Sequence, residues 1–108
     1  MKIVSTENAP KAIGTYSQAV FCKGFLFVSG QIPLDPKTMQ LVDGIDSQIR
    51  QVFQNIESIL EAAEMNFSNV VKLSVLLDDL SNFELVNKIM SEIFSQPYPA
   101  RAAYQVSK

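Results

Sequence analysis

The sequence contains no histidine. That removes the base from Ser-His-Asp and Cys-His arrangements, so neither kind of activated nucleophile is available. It contains a single cysteine, Cys22. One thiol cannot close an internal disulfide, and without histidine it cannot complete a Cys/His zinc site. A lone thiol suits a reducing, cytoplasmic setting. No apolar run reaches the roughly 18 residues of a membrane-spanning helix, and the stretch Met1 to Glu7 lacks the apolar core of a secretory leader. No run of Lys or Arg occurs and the net charge is −2, so the electrostatic footprint of a nucleic-acid binder is missing. The chemistry left open uses carboxylates, Tyr, Ser, Lys, Arg, backbone groups and water. It suits an easy reaction on an already reactive substrate, or binding alone.

What is present is the composition of one folded domain. The chain has 108 residues, 47% of them apolar and 19% charged. That is apolar for so small a chain and compatible with a buried subunit interface.

Periodicity orders the chain as β-β-β-α-β-α-β. A short β-like run covers residues 3–6, and Asn8 to Ala12 is turn-rich. Gly14 relaxes the backbone before a strand that runs from Tyr16 to Cys22. Lys23-Gly24 is a two-residue hairpin turn. Phe25 to Ser29 is a nearly continuous apolar run, typical of a buried strand, and closes in Gly30 and Pro33. Ile49, Val52, Phe53, Ile56, Ile59, Leu60 and Ala63 recur at helical spacing, which predicts a helix over 46–64. Asp43 or Asp46 is its cap, and Arg50, Gln51, Asn55 and Glu57 lie on a solvated face. Asn66 ends it in a left-handed conformation. Val70 to Leu77 is a strand with apolar residues on both faces. Ser81-x-x-Glu84 is a capping box for a second helix whose buried stripe is Phe83, Val86, Met90, Ile93 and Phe94. Asn87 interrupts that stripe, either as a satisfied half-buried amide or as a polar group aimed at a site. Two such helices pack on one face of a mixed sheet, and a second subunit covers the other.

The C-terminal run Tyr98 to Val106, a strand after Pro99, carries the most pointed chemistry. Pro99 stiffens its entry. Arg101 stands at its mouth with no acidic residue within five positions, so no local ion pair accounts for it. Read alone, it is an ordinary solvated arginine. On a rigid strand start, a guanidinium also suits bidentate capture of a carboxylate or phosphate.

Four stretches together carry a resemblance. They are Ala9-Pro10-x-Ala12-Ile13-Gly14-x-Tyr16-Ser17-Gln18-Ala19, Val28-Ser29-Gly30-Gln31-Ile32-Pro33, Gln48-x-Arg50-Gln51-Val52-Phe53-x-Asn55-Ile56 and Tyr98-Pro99-Ala100-Arg101. In this order and spacing the chain resembles the Rid/YjgF family of reactive-intermediate deaminases, whose older names include translation inhibitor and endoribonuclease. The resemblance implies a chorismate-mutase-like α+β fold in a single domain spanning residues 1–108. It implies a homotrimer with sites in the clefts between subunits. It also implies hydrolysis of enamine and imine products of pyridoxal-phosphate-dependent dehydratases, such as 2-aminoacrylate and 2-iminobutanoate, to 2-oxo acids and ammonia. No metal or organic cofactor is implied. The carboxylate-binding arginine falls on Arg101, the cleft tyrosine on Tyr16, the serine on Ser29 and the helix asparagine on Asn87. Backbone at Gly30 and Ala103 lines the same cleft.

Two departures from the family pattern shape the expectations. A family cysteine two residues after the arginine is replaced by Ala103. The family continues with a further strand, inserted between the strand ending at Ser29 and the strand Val70 to Leu77, whose glutamate positions the hydrolytic water; no residue of this sequence matches it. The expectation is that the functional protein carries that strand and that 108 residues alone deaminate poorly. An alternative function follows, a non-catalytic trimer binding small carboxylates at the same clefts. Ribonuclease activity rests only on the older names.

Overall fold

Lys23 and Gly24 reverse the chain with φ angles of 51° and 83°, the positive pair that a two-residue hairpin turn takes to match the twist of its strands. In the computed structural model, which describes residues 1–107, this turn joins β2 (Ala19–Cys22) to β3 (Phe25–Val28). The chain divides into two compact units, Met1–Asn66 and Phe67–Lys108.

In the first unit, β1 (Lys2–Val4) pairs antiparallel with β2, and β2 with β3, in the order β1-β2-β3. The register aligns Val4, Ala19 and Val28 in one row and Ile3, Val20 and Phe27 in the next. Alternation sends the two rows to opposite faces. The first face packs on α1 (Ile45–Ala62): Val4, Ala9, Ala19 and Ile59 form a buried cluster, with Phe21, Leu26, Val28 and Ala63 against it. Burying each large aliphatic side chain there contributes roughly 1.5–3 kcal/mol. On the second face Ile3, Phe25 and Phe27 are 58%, 61% and 63% exposed. The run Phe25 to Ser29 is therefore not buried on both faces within this chain; it alternates.

The ends of α1 also differ from the sequence reading. Neither Asp43 nor Asp46 caps it. Gly44 occupies the N-cap with φ 87° and no side-chain bond. Asp46 lies in the first turn, where a negative charge meets the positive end of the helix dipole, and pairs with Arg50 at 2.8 Å. At the other end Glu64, with φ 60°, takes the left-handed position expected at Asn66.

In the second unit β4 (Lys72–Leu77) and β5 (Ala100–Gln105) pair in parallel, from Lys72 opposite Ala100 to Leu77 opposite Gln105. A parallel pair needs a crossover, and α2 (Phe83–Ile93) supplies it. Ser81 and Glu84 do not form a capping box. Leu80–Asn82 is a 3₁₀ turn whose Ser81 N–H donates to the Asp79 carboxylate at 2.9 Å, and the helix N-cap Asn82 makes no side-chain bond. Val86, Ile89, Met90 and Phe94 are buried. Ile89 joins the stripe read from the sequence, while Phe83 and Ile93 are only half-buried. The Phe67 and Phe94 rings meet at 5.0 Å between centroids.

The order β-β-β-α-β-α-β stands. The strands form a three-stranded and a two-stranded sheet in place of one continuous sheet. Among the described residues, no helix is long and apolar enough to cross a membrane.

Candidate functional site

Arg101 is the second residue of β5, paired with Leu73 of β4. A parallel ladder fixes its backbone, and the strand's alternation puts its side chain and that of Ala103 on one face. Three residues of α2 meet that guanidinium. Arg101 Nη1 donates to Asn87 Oδ1 at 2.5 Å and lies 3.5 Å from Met90 Sδ. Its central carbon stands 4.7 Å from the Phe83 ring centroid, within cation–π range. Positions 83, 87 and 90 follow the i, i+4, i+7 spacing of one helix face.

Arg101 is exposed, and among the described residues it has no ion-pair partner. Of the two readings of Asn87, the half-buried amide is corrected: Asn87 is exposed and its oxygen is turned to Arg101. The sequence reading assigned Phe83 and Met90 to the core and missed their contact with Arg101. The 83-87-90 spacing was the available signal. Ala103 is half-buried and offers only backbone polarity.

In the first unit Tyr16 is 51% exposed, with no hydrogen-bond partner for its hydroxyl among the described residues. A Cβ at Gly14 would stand 3.4 Å from the Tyr16 ring, an ordinary contact, so the ring packs beside this backbone. Ser29 ties the end of β3 to the segment after Tyr16. Its hydroxyl donates to Ser17 O at 2.6 Å and its amide to Gln18 O at 3.0 Å. A Cβ at Gly30 would meet nothing within 4 Å, so the backbone there is open to approach.

Two buried amides hold this region and were not singled out in the sequence. Gln18 is 4% exposed. Its Nε2 donates to the carbonyls of Thr6, Ala9 and Pro10, and its Oε1 accepts from Thr6 N. Asn55, expected on a solvated face, is completely buried. Its Nδ2 donates to Leu34 O at 3.0 Å and Ile32 O at 3.4 Å, and its Oδ1 accepts from Gln51 at 2.8 Å. Gln48 also donates to Val42 O. The amides of Gln48 and Asn55 thus stitch the loop after Gly30 to α1, and Gln51 holds the Asn55 oxygen from within the helix.

Tyr16, Ser29 and Gly30 are accordingly grouped in the first unit, and Asn87, Arg101 and Ala103 in the second. The class these features mark is a small α+β protein presenting a held, unneutralised arginine. The chain belongs to the Endoribonuclease L-PSP family, the Rid/YjgF family, whose family model matches residues 6–108. It is 47% identical to the human 2-iminobutanoate/2-iminopropanoate deaminase over 107 residues, covering 98% of this chain and 78% of that protein. The crystal structure of RidA from the Antarctic bacterium Psychrobacter sp. PAMC 21119 superposes with a TM-score of 0.96 at 47% identity, covering 99% of this chain and 87% of that one. E. coli TdcF with bound serine superposes with a TM-score of 0.92 at 33% identity, covering 100% of this chain and 87% of that one.

Proposed function

We propose that this chain is a hydrolytic deaminase of reactive 2-enamino and 2-imino acids, the 2-iminobutanoate/2-iminopropanoate deaminase activity for which its human relative is named. The observation that carries the reading is Arg101, a fixed and unneutralised guanidinium on the strand face it shares with Ala103 and beside Asn87. Such a group holds a substrate carboxylate. In 2-aminoacrylate, protonation at C3 gives the iminium form. Water adds to the electrophilic C2, the resulting carbinolamine expels ammonia, and a 2-oxo acid remains. The iminium carbon needs no further activation, so placing the water contributes more than a strong base does. This matches a chain without histidine. Tyr16, with its free hydroxyl, hydrogen-bonds substrate or water. Ser29 and the open backbone at Gly30 complete the proposed contacts, and no cofactor takes part.

The working form in this reading is a single-domain chain assembled into a cytoplasmic homotrimer, its sites in the clefts between subunits. The exposed apolar face of Ile3, Phe25 and Phe27 supports that assembly. Pyridoxal-phosphate-dependent dehydratases supply the substrate, because they release such enamines. The test couples the protein to a serine or threonine dehydratase and follows 2-oxo acid release. The 108-residue chain is expected to accelerate release weakly and Arg101→Ala not at all, while its far-UV spectrum is kept. Unchanged acceleration in Arg101→Ala would remove the assigned role.

A second reading, a carboxylate-binding protein without turnover, is favoured by Ala103, which puts no functional side chain beside Arg101 on β5. Stabilisation by 2-oxobutanoate that depends on Arg101, with no acceleration in the coupled assay, would select it.

A further inference from the structure

We propose that Phe83 is a positioning residue for this reaction, setting the plane of the Arg101 guanidinium so that its Nε–Nη2 edge receives the substrate carboxylate. The proposal deepens the deaminase reading and rests on Arg101 as the carboxylate group. A guanidinium has five N–H donors in one plane: one on Nε and two on each Nη. A carboxylate can take two parallel bonds, either end-on from Nη1 and Nη2 or side-on from Nε and Nη2. Here Nη1 turns to Asn87 Oδ1 and Met90 Sδ. Both Nη1 protons are thereby engaged, so end-on capture would displace one of these two contacts, whereas side-on capture from Nε and Nη2 keeps both. The Asn87 bond alone leaves the guanidinium free to rotate about it. The Phe83 ring, with the central carbon over it at 4.7 Å from its centroid, gives the cation a second contact that limits this rotation. Phe83 and Asn87 are one helical turn apart on α2, so one rigid element sets both constraints. Half-exposed Phe83 thereby does more than fill the core, and a leucine there would keep the apolar volume and lose the ring face.

The test measures binding of 2-oxobutanoate, a stable 2-oxo acid, by calorimetry, and KM and kcat in the dehydratase-coupled assay. Phe83→Leu is expected to raise Kd and KM by about 3- to 10-fold with kcat within about twofold, the signature of lost ground-state positioning. Phe83→Tyr retains the ring face and is expected to stay within about twofold of the wild type. Wild-type KM in Phe83→Leu, or Phe83→Tyr as poor as Phe83→Leu, would overturn the proposal while leaving Arg101 in place. If Arg101→Ala itself binds and turns over normally, the carboxylate reading fails, and this proposal with it.

Discussion

The Ser29 hydroxyl donates to the Ser17 carbonyl oxygen at 2.6 Å, next to the 3.0 Å bond from the Ser29 amide to Gln18 O. Both bonds run from the end of β3 to the residues that follow Tyr16, so Ser29 fixes the chain that carries the tyrosine. Ser29→Ala keeps the backbone bond and loses the other, at a cost of about 0.5–1.5 kcal/mol. The expected outcome is a modest fall in melting temperature and a larger proportional fall in 2-oxo acid release, because the segment after Tyr16 loses a tie and the proposed contact of Ser29 is lost with it. A fall in stability with wild-type turnover would show that Tyr16 does not depend on this bond.

Asn55 gives a sharper stability prediction. Its side chain is completely buried and bonds Leu34 O, Ile32 O and the Gln51 amide. Asn55→Ala removes the donor from two carbonyls and opens a small cavity, which costs about 1–3 kcal/mol. Asn55→Asp keeps the shape but sets a carboxylate oxygen against those carbonyls, so it is expected to cost more. Urea midpoints of both variants, with the m-value unchanged, check the order.

Asn55 also shows where the sequence was legible and where it was not. The apolar stripe Ile49, Phe53, Ile59 and Leu60 gave α1 because burial follows a period that can be counted. The same count put Asn55 with the solvated residues, because nothing local says that a loop will fold over it and offer carbonyls. The hairpin at Lys23-Gly24 was legible because its chemistry is complete in two residues. The cap at Ser81 was misplaced, because Asp79 took the Ser81 amide first and wound a 3₁₀ turn. Arg101 stood out for its lack of acidic neighbours. Its contact with Phe83 was only partly legible: the 83-87-90 spacing puts Phe83 on one helix face with Asn87, but the same spacing fits an aromatic in a buried stripe.

Asp79 titrates with a predictable sign. The backbone N–H of Ser81, and then its hydroxyl, hydrogen-bond the carboxylate and hold it below the usual range, against a small opposing effect of desolvation. A group lowered in the folded state adds stability above its unfolded value, near about pH 3.9, and loses it as pH falls through the folded value. Asp79→Ala is therefore expected to be less stable than the wild type at neutral pH, with the gap closing as pH falls through the folded value. Denaturation midpoints of both proteins across that range provide the check. A gap that stays constant would mean that the carboxylate's charge contributes nothing.

The apolar face of the first sheet carries the last prediction. Register places Ile3, Val20 and Phe27 in one row across three strands, with Cys22 opposite Phe25 in the neighbouring row of the same face. Ile3, Phe25 and Phe27 are each more than half exposed, and the two phenyl rings lie 6.4 Å apart. Singly exposed apolar residues are common, but a contiguous row with large aromatics is the mark of an interface. The other face of this sheet is already covered by α1, so further cover comes from outside the chain, and the proposed trimer supplies it. Light scattering is then expected to give three times the 12.0 kDa of one chain. Phe27→Asp places a charge in the middle of the row, where association would have to desolvate it. The expected result is a shift towards the single-chain mass, with a fall in melting temperature as the face returns to water. Glu57→Lys changes charge on the exposed side of α1 and is expected to leave the mass unaltered. A trimer that survives Phe27→Asp at micromolar concentration would place the interface on another surface, and a single-chain mass for the wild type would remove the trimer itself.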